Sequence, residues 1–296
     1  MKSKIILIAL LLIAKVTFSQ TYEGLEKLDG KTQNIFFSSN AKDRAVKISN
    51  DVAKAENYLQ NQFKVKANYN LLVLSPADWK KHAHPNAVYG IPHYLPDGRL
   101  VVASENNDFW KRNVPPLDKL PEELAKRIRN TYTDKNGEIN LTNAFDLLAI
   151  HELGHAFQSA AKLTSQRHWL NELFCNVMLH TYLAEKDPAQ LPYITVFTQV
   201  NAQSFPVARL KYTTLTDFEN LYNEIAKNNP DNYGWYQCRF HVVAGEIYDG
   251  GGVAAMNKMW DSLLSQKVKL SDEDLKNLIT KTHPALEKAI TNWNRN

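Results

Sequence analysis

The chain has 296 residues, of which 44% are hydrophobic and 22% charged, a balance that excludes a disordered tail or a fibrous protein. Its formal net charge of +4 falls to +1 when Lys2, Lys4 and Lys15 are set aside, because the first 19 residues contain no acidic residue. Such a small charge gives no general attraction for nucleic acid or an anionic membrane, so no nucleic-acid partner is expected.

Residues 1–19 have the layout of a secretory signal peptide. Two lysines precede an apolar run from Ile5 to Ala14, and small or polar residues follow, so cleavage is expected near Ser19 and Gln20. The run has about ten residues, roughly half of what a membrane-spanning helix needs. We expect an exported protein (periplasmic, cell-surface or secreted) without stable membrane insertion after cleavage. An uncleaved membrane anchor is the alternative.

The first part of the mature chain mixes strand and helix signals. In chain order the predictions are an irregular lead-in at 20–40, an amphipathic helix at 41–62, a strand at 69–74, a helix that starts at Pro76, a loop at 82–98 and a strand at 100–103. The strand at 69–74 is a short apolar run that ends at Ser75-Pro76, and the strand at 100–103 is entered through an Asp97-Gly98 turn.

The rest of the chain is predicted to be helical. Helices are expected at about 121–130, from Thr142 to about Ala161 and at about 169–185, followed by further helix with turns at 228–232 and 249–252. The predicted fold class is α+β, in one domain over 20–296. A small mixed sheet belongs to the part at about 20–140, the part at about 141–296 is mostly helical, and the two parts share a cleft.

Cys175 and Cys238 are the only cysteines. Two cysteines in a chain of this length do not form a disulfide scaffold. Export would allow the two to be joined, and two buried thiols that act as small apolar residues are equally compatible with the sequence.

The segment His151-Glu152-Leu153-Gly154-His155 is the strongest chemical signal. Residues four apart lie on one face of a helix, about 5–6 Å between Cβ atoms, so both imidazoles can bind one zinc ion. Glu152 points along the helix and can reach a metal-bound water without itself ligating the metal. The neighbours of these residues are apolar, which indicates a buried helix, and burying polar groups without partners is costly.

A catalytic zinc site commonly has three protein ligands and one open position. The next predicted helix contains Trp169-Leu170-Asn171-Glu172, and Glu172 offers the missing carboxylate. Sixteen residues separate His155 from Glu172. A solvated surface glutamate is the alternative reading of Glu172.

The pair of motifs HELGH and WLNE resembles the gluzincin metallopeptidases, most closely their aminopeptidase-like and peptidase MA-like domains. The resemblance implies a zincin-like fold with one Zn²⁺ in the cleft. It also implies that His151, His155 and Glu172 are the metal ligands and that Glu152 is the general base. The separation of the two motifs is shorter than usual for the aminopeptidases, which predicts a tighter connecting loop.

The segment that opens with Asn232-Tyr233-Gly234-Trp235-Tyr236 resembles the family helix whose tyrosine faces the zinc. The resemblance implies a hydroxyl that stabilises the oxyanion of the tetrahedral intermediate. Tyr236 is the first candidate and Tyr233 the second, with His241 in reserve. A core tyrosine is the alternative reading for each.

The segments Tyr89–Pro92 and Gly98–Ala103 resemble the edge strand beside the family's cleft, which would hold an extended peptide by main-chain hydrogen bonds. The sequence therefore predicts an exported zinc metallopeptidase with a peptide or protein substrate. Two rivals stay open, namely a non-catalytic envelope binding protein with a metallopeptidase fold and a metal-dependent hydrolase of non-peptide substrates. The sequence does not determine the oligomeric state.

Overall fold

The structure, a computed structural model, describes residues 22–30 and 32–293. The predicted signal peptide at 1–19 lies outside these residues. Within the described part of the chain, no helix combines the length and the apolar character that crossing a bilayer requires.

The fold is α+β, as predicted, with a small mixed sheet and many helices. The strands are β1 (Glu26–Lys27), β2 (Asn34–Phe37), β3 (Asn70–Leu74), β4 (His93–Tyr94) and β5 (Arg99–Ala103). The helices are α1 (Lys42–Phe63), α2 (Pro76–His82), α3 (Asp108–Arg112), α4 (Glu122–Tyr132), α5 (Thr142–Ala160), α6 (His168–Lys186), α7 (Leu191–Ser204), α8 (Leu215–Asn228), α9 (Pro230–Leu264), α10 (Asp272–Thr282) and α11 (Pro284–Thr291).

The five strands form one sheet in the order β1-β2-β3-β5-β4. The three inner strands run parallel, and β1 and β4 each pair antiparallel at an edge. Successive side chains of a strand point to opposite faces. Leu71 and Val73 therefore face the core formed with α1, α5, α6 and α9, while Leu72 and Leu74 face a second core with α2, α4 and α7. Burial on both faces explains the continuous apolar run of β3.

Three sequence predictions about the sheet are corrected. The lead-in at 20–40 is not irregular, because β1 and β2 lie within it, and the loop at 82–98 contains β4. The strand predicted at the edge, now β5, lies inside the sheet between β3 and β4, so the edge beside the cleft is β4. Strands of two to four residues carry too little periodicity to be recognised, and their pairing partners stabilise them.

The helical predictions hold for α1, α4, α5 and α6, with bounds within about two residues. The turn predicted at 249–252 is wrong, since α9 continues through it and bends at Gly252, whose φ of 54° favours glycine. The first turns of α5 are tied to α1 by Arg44, which donates to the buried carboxylate of Asp146 at 2.9 Å.

Candidate metal centre

The helix α5 carries the histidine pair. His151 and Glu152 are buried, the side chain of His155 is 22% exposed, and the two imidazole rings lie with their centroids 5.1 Å apart. The apolar neighbours Leu153, Ala156 and Phe157 are fully buried in the core, as the sequence predicted for this helix. The packing of these apolar neighbours in the core therefore fixes the helix so that both histidines lie on one face.

Glu172, at the second turn of α6, faces both imidazoles. Its Oε2 lies 3.2 Å from Nε2 of His151 and 3.8 Å from Nε2 of His155. The predicted carboxylate and the two predicted imidazoles therefore come together, although 16 residues lie between the motifs. Burial alone would raise the pKa of Glu172, but its hydrogen bonds and charge interactions with the two histidines hold that pKa well below its usual range.

His151, His155 and Glu172 are candidate donors for a divalent cation. Two donors that each lie about 2.0–2.1 Å from one tetrahedral zinc are roughly 3.3–3.4 Å apart. The distance of 3.2 Å between His151 Nε2 and Glu172 Oε2 is close to that value, and the distance of 3.8 Å between His155 Nε2 and Glu172 Oε2 is longer. Two neutral imidazole nitrogens and one carboxylate oxygen are also the donor set that zinc accepts in catalytic sites.

Close packing of α5 on α6 brings the donors together. A Cβ atom on Gly154 would lie 3.0 Å from Sγ of Cys175, 3.0 Å from Cε of Met178 and 3.2 Å from the backbone Cα of Cys175. The backbone of α6 can approach α5 this closely only because residue 154 has no side chain.

Cys175 is a third potential ligand beside the histidines. The ligand atoms of His151, His155 and Cys175 all lie within 4.8 Å of one another, close enough to bind a metal ion. The sulfur, however, contacts Nδ1 of His155 at 3.4 Å, whereas Glu172 faces Nε2 of both rings. Burial raises the pKa of the Cys175 thiol to about 11. Cys175 and Cys238 are both buried and unjoined.

Glu152 lies in the same pocket with its carboxylate held in place. Its Oε2 accepts a hydrogen bond from the backbone N–H of Tyr94 at 2.8 Å, which ties the helix α5 to the edge strand β4. Burial raises the pKa of Glu152 above its usual range, and the charge of Glu172 acts in the same direction, while both histidines oppose it. A raised pKa suits a group that first accepts and then donates a proton.

Two residues that the sequence reasoning missed hold the carboxylate of Glu172. The Tyr222 hydroxyl on α8 donates to Oε1 at 3.3 Å, and the Gln237 amide on α9 donates to Oε2 at 3.1 Å. Gln237 lies one helical turn after Tyr233, so its spacing offered a signal. Tyr222 offered none, because nothing in its local sequence links α8 to the metal motifs.

The first tyrosine candidate is corrected. Tyr236 is fully buried, its hydroxyl donates to the carbonyl of Thr214 at 2.7 Å, and its ring packs between Phe218 and Trp293. Tyr233, the second candidate, does line the pocket, and its hydroxyl is hydrogen-bonded to that of Tyr222. Along a helix, three residues rotate a side chain by about 300°, which is enough to move it from the pocket to the core.

The reserve candidate His241 is also buried away from the pocket. Its Nδ1 pairs with Oδ1 of Asn176 at 3.2 Å, and Asn176 in turn donates to the backbone carbonyl of Glu172 at 3.0 Å. His241 therefore supports α6 rather than facing the metal donors.

The donors open into a cavity of about 680 Å³. It is bounded by residues 91–96 around β4 on one side and by side chains of α5, α6, α7 and α9 on the others. Leu148, Ile194 and Phe197 form an apolar wall. A cavity of this size accommodates several residues of a peptide or a small molecule of comparable size.

No family model matches the chain, and no curated protein matches its sequence. The function is therefore argued from the site itself.

Proposed function

We propose that the protein is an exported zinc metallopeptidase of the gluzincin type. The observation that carries the proposal is the position of Glu172, whose Oε2 lies within 4 Å of Nε2 of both His151 and His155, in the pocket that also contains Glu152. A structural zinc site needs ligands but no base, so a further carboxylate that lines the same pocket as the donors favours catalysis.

Bound zinc would polarise the scissile carbonyl and lower the pKa of a water molecule. Glu152 accepts the proton of the attacking water and passes it to the leaving amine. The N–H of Tyr94 orients the Glu152 carboxylate for both transfers. Glu172 is oriented by Tyr222 and Gln237, which leaves little freedom for its carboxylate to turn away from the histidines.

Tyr233 replaces Tyr236 in the oxyanion role. Its side chain is half-buried and lines the pocket with Tyr222, and burial raises its pKa well above the usual value, so its hydroxyl keeps its proton. A protonated phenol can donate a hydrogen bond to an oxygen that becomes negatively charged.

The proposal includes a binding place for the substrate, namely the sheet edge β4 beside the pocket, as in a zincin-like fold. The strand β4 pairs with β5 on one side only, and its two residues line the pocket. The N–H of Tyr94 is occupied by Glu152, so an extended peptide would add to this edge through the other main-chain groups, whose hydrogen bonds demand little of its side chains. The substrate class that fits this edge is an extended peptide or protein segment.

The test is incubation of the purified protein with a mixed peptide library, with and without a chelator. We expect chelator-sensitive cleavage that zinc restores, and no cleavage by Glu152→Gln although this variant retains the metal. Full activity of Glu152→Gln contradicts the role of the base. Zinc binding without cleavage by the wild-type protein favours the binding protein or the hydrolase of non-peptide substrates.

A further inference from the structure

We propose that Cys175 is a positioning residue, whose sulfur accepts a hydrogen bond from Nδ1 of His155 and so directs Nε2 of that ring to the metal. The inference rests on the metal site of the proposed function and adds a residue to it. Cys175 lies three residues after Glu172, so both project from the same face of α6 toward His155.

The two contacts reach opposite nitrogens of the ring. Glu172 Oε2 lies 3.8 Å from Nε2 of His155, and Cys175 Sγ lies 3.4 Å from Nδ1. A neutral imidazole carries its proton on one of its two nitrogens, and only the unprotonated nitrogen can ligate a metal. For Nε2 to ligate, the proton resides on Nδ1, and the sulfur is the acceptor in reach.

The sulfur is itself held in place. The Gln158 amide donates to Sγ at 3.3 Å and to the backbone carbonyl of Asn171 at 3.1 Å, which connects α5 to α6 at this point. Cys175 is fully buried, and its side chain packs against Gly154 of α5. Such an orienting partner sets the tautomer and the ring direction of a metal-binding histidine.

His151 lacks this support. Within the described part of the chain its buried Nδ1 has no hydrogen-bond partner. The orientation of the histidine pair therefore depends on the sulfur beside His155 and on the carboxylate of Glu172. Replacing the sulfur should weaken metal binding even though the three donors remain.

The test measures Zn²⁺ and Co²⁺ affinity of the full protein in three variants. We expect Cys175→Ala to weaken metal binding about 10- to 100-fold, as the loss of an orienting partner typically does. Cys175→Ser retains a hydrogen-bond acceptor and should recover most of the affinity. Cys238→Ala removes the other buried thiol, which has no described contact with the histidine pair, and should bind metal as the wild type does. Circular dichroism checks that each variant is folded.

The Co²⁺ spectrum separates a positioning role from direct ligation. We expect d–d bands of a tetrahedral nitrogen and oxygen site without a sulfur-to-cobalt charge-transfer band in the near ultraviolet. A charge-transfer band that disappears in Cys175→Ala overturns the inference, since the sulfur then ligates the metal. Unchanged affinity of Cys175→Ala also overturns it but leaves the proposed function standing, whereas a wild-type protein that binds no metal refutes both.

Discussion

At the scale of single residues, the site depends on how completely one carboxylate is held. Glu172 meets two imidazoles, a phenol and an amide, which reach it from the three helices α5, α8 and α9. The Glu172 carboxylate is buried, and burying its negative charge is costly unless a positive charge compensates it. A divalent cation between the carboxylate and the imidazoles would provide that compensation.

Glu172→Gln should lower zinc affinity by more than about 100-fold, the upper figure for the loss of an outer-shell partner, because a neutral amide is a poor zinc ligand. The matched control is Glu185→Gln on the same helix. Among the described hydrogen bonds, the Glu185 carboxylate accepts one, from the Tyr248 hydroxyl at 2.8 Å. Isothermal titration calorimetry measures both. Equal affinities of Glu172→Gln and the control would remove Glu172 from the ligand set.

Phenylalanine variants of the two tyrosines of α9 should have different effects, one on catalysis and the other on stability. Tyr233→Phe removes a donor in the pocket and should lower kcat about 10²- to 10³-fold with zinc affinity retained. Tyr236→Phe loses only the bond to the Thr214 carbonyl and should cost about 0.5–1.5 kcal/mol of unfolding free energy with kcat unchanged. Kinetics and denaturant titration on both variants test this, and the reverse pattern would contradict the placement.

The sequence predicts the metal donors better than their surroundings. The spacing within HELGH places His151 and His155 on one helix face, and the second motif indicates Glu172 as the candidate third ligand. Which tyrosine faces the pocket depends on the rotation of α9, and the contacts of Tyr222 and Cys175 depend on how three helices pack. No local pattern records either property, so these residues emerge only from the tertiary structure.

At the scale of elements, the tight packing of α6 against Gly154 of α5 positions the candidate donors. Gly154→Val would place side-chain atoms against the backbone of Cys175 and separate the helices. We expect a loss of about 1–3 kcal/mol in stability from overpacking, together with weaker zinc binding. Gly234→Val on α9 is the control, since a Cβ there meets nothing within 4 Å. Unaltered zinc affinity in Gly154→Val would show that the donors do not depend on this contact.

The elements themselves were predictable where their periodicity is long. The helices α1, α5 and α6 have about twenty residues each, and the apolar runs of β3 and β5 are bounded by turn residues. The short strands β1, β2 and β4 were missed because two to four residues give no reliable period. The bend at Gly252 looked like a turn because three glycines follow one another there, yet helix packing continues through them.

At the scale of the whole molecule, a second buried histidine pair predicts sensitivity to acid. Burial lowers the pKa of His180 to about 4, against a weaker opposing effect of Asp249, and burial also holds the pKa of the neighbouring His241 well below its usual value. Well above pH 6.5, His180 is neutral in both the folded and the unfolded protein. Between pH 6.5 and 4 the unfolded state binds a proton that the folded state does not, so stability falls as the pH falls.

For His180 this loss amounts to at most about 3 kcal/mol by pH 4. His241 acts in the same direction. Denaturant titrations at several pH values should show the decline in the wild type and a shallower decline in His180→Gln. The exposed His84 provides the control, and His84→Gln should follow the wild-type curve. If the unfolding free energy of His180→Gln depends on pH as that of the wild type does, His180 is not a source of the acid sensitivity.

The metal content of the purified protein is the most direct test of the whole account. After exposure to zinc and removal of loosely bound ions by dialysis, elemental analysis should find one zinc per wild-type chain and close to none in His151→Ala, His155→Ala or Glu172→Ala. Glu152→Gln should retain the full complement. A wild-type chain that keeps no zinc, or a Glu172→Ala chain that keeps all of it, would contradict the three-donor centre.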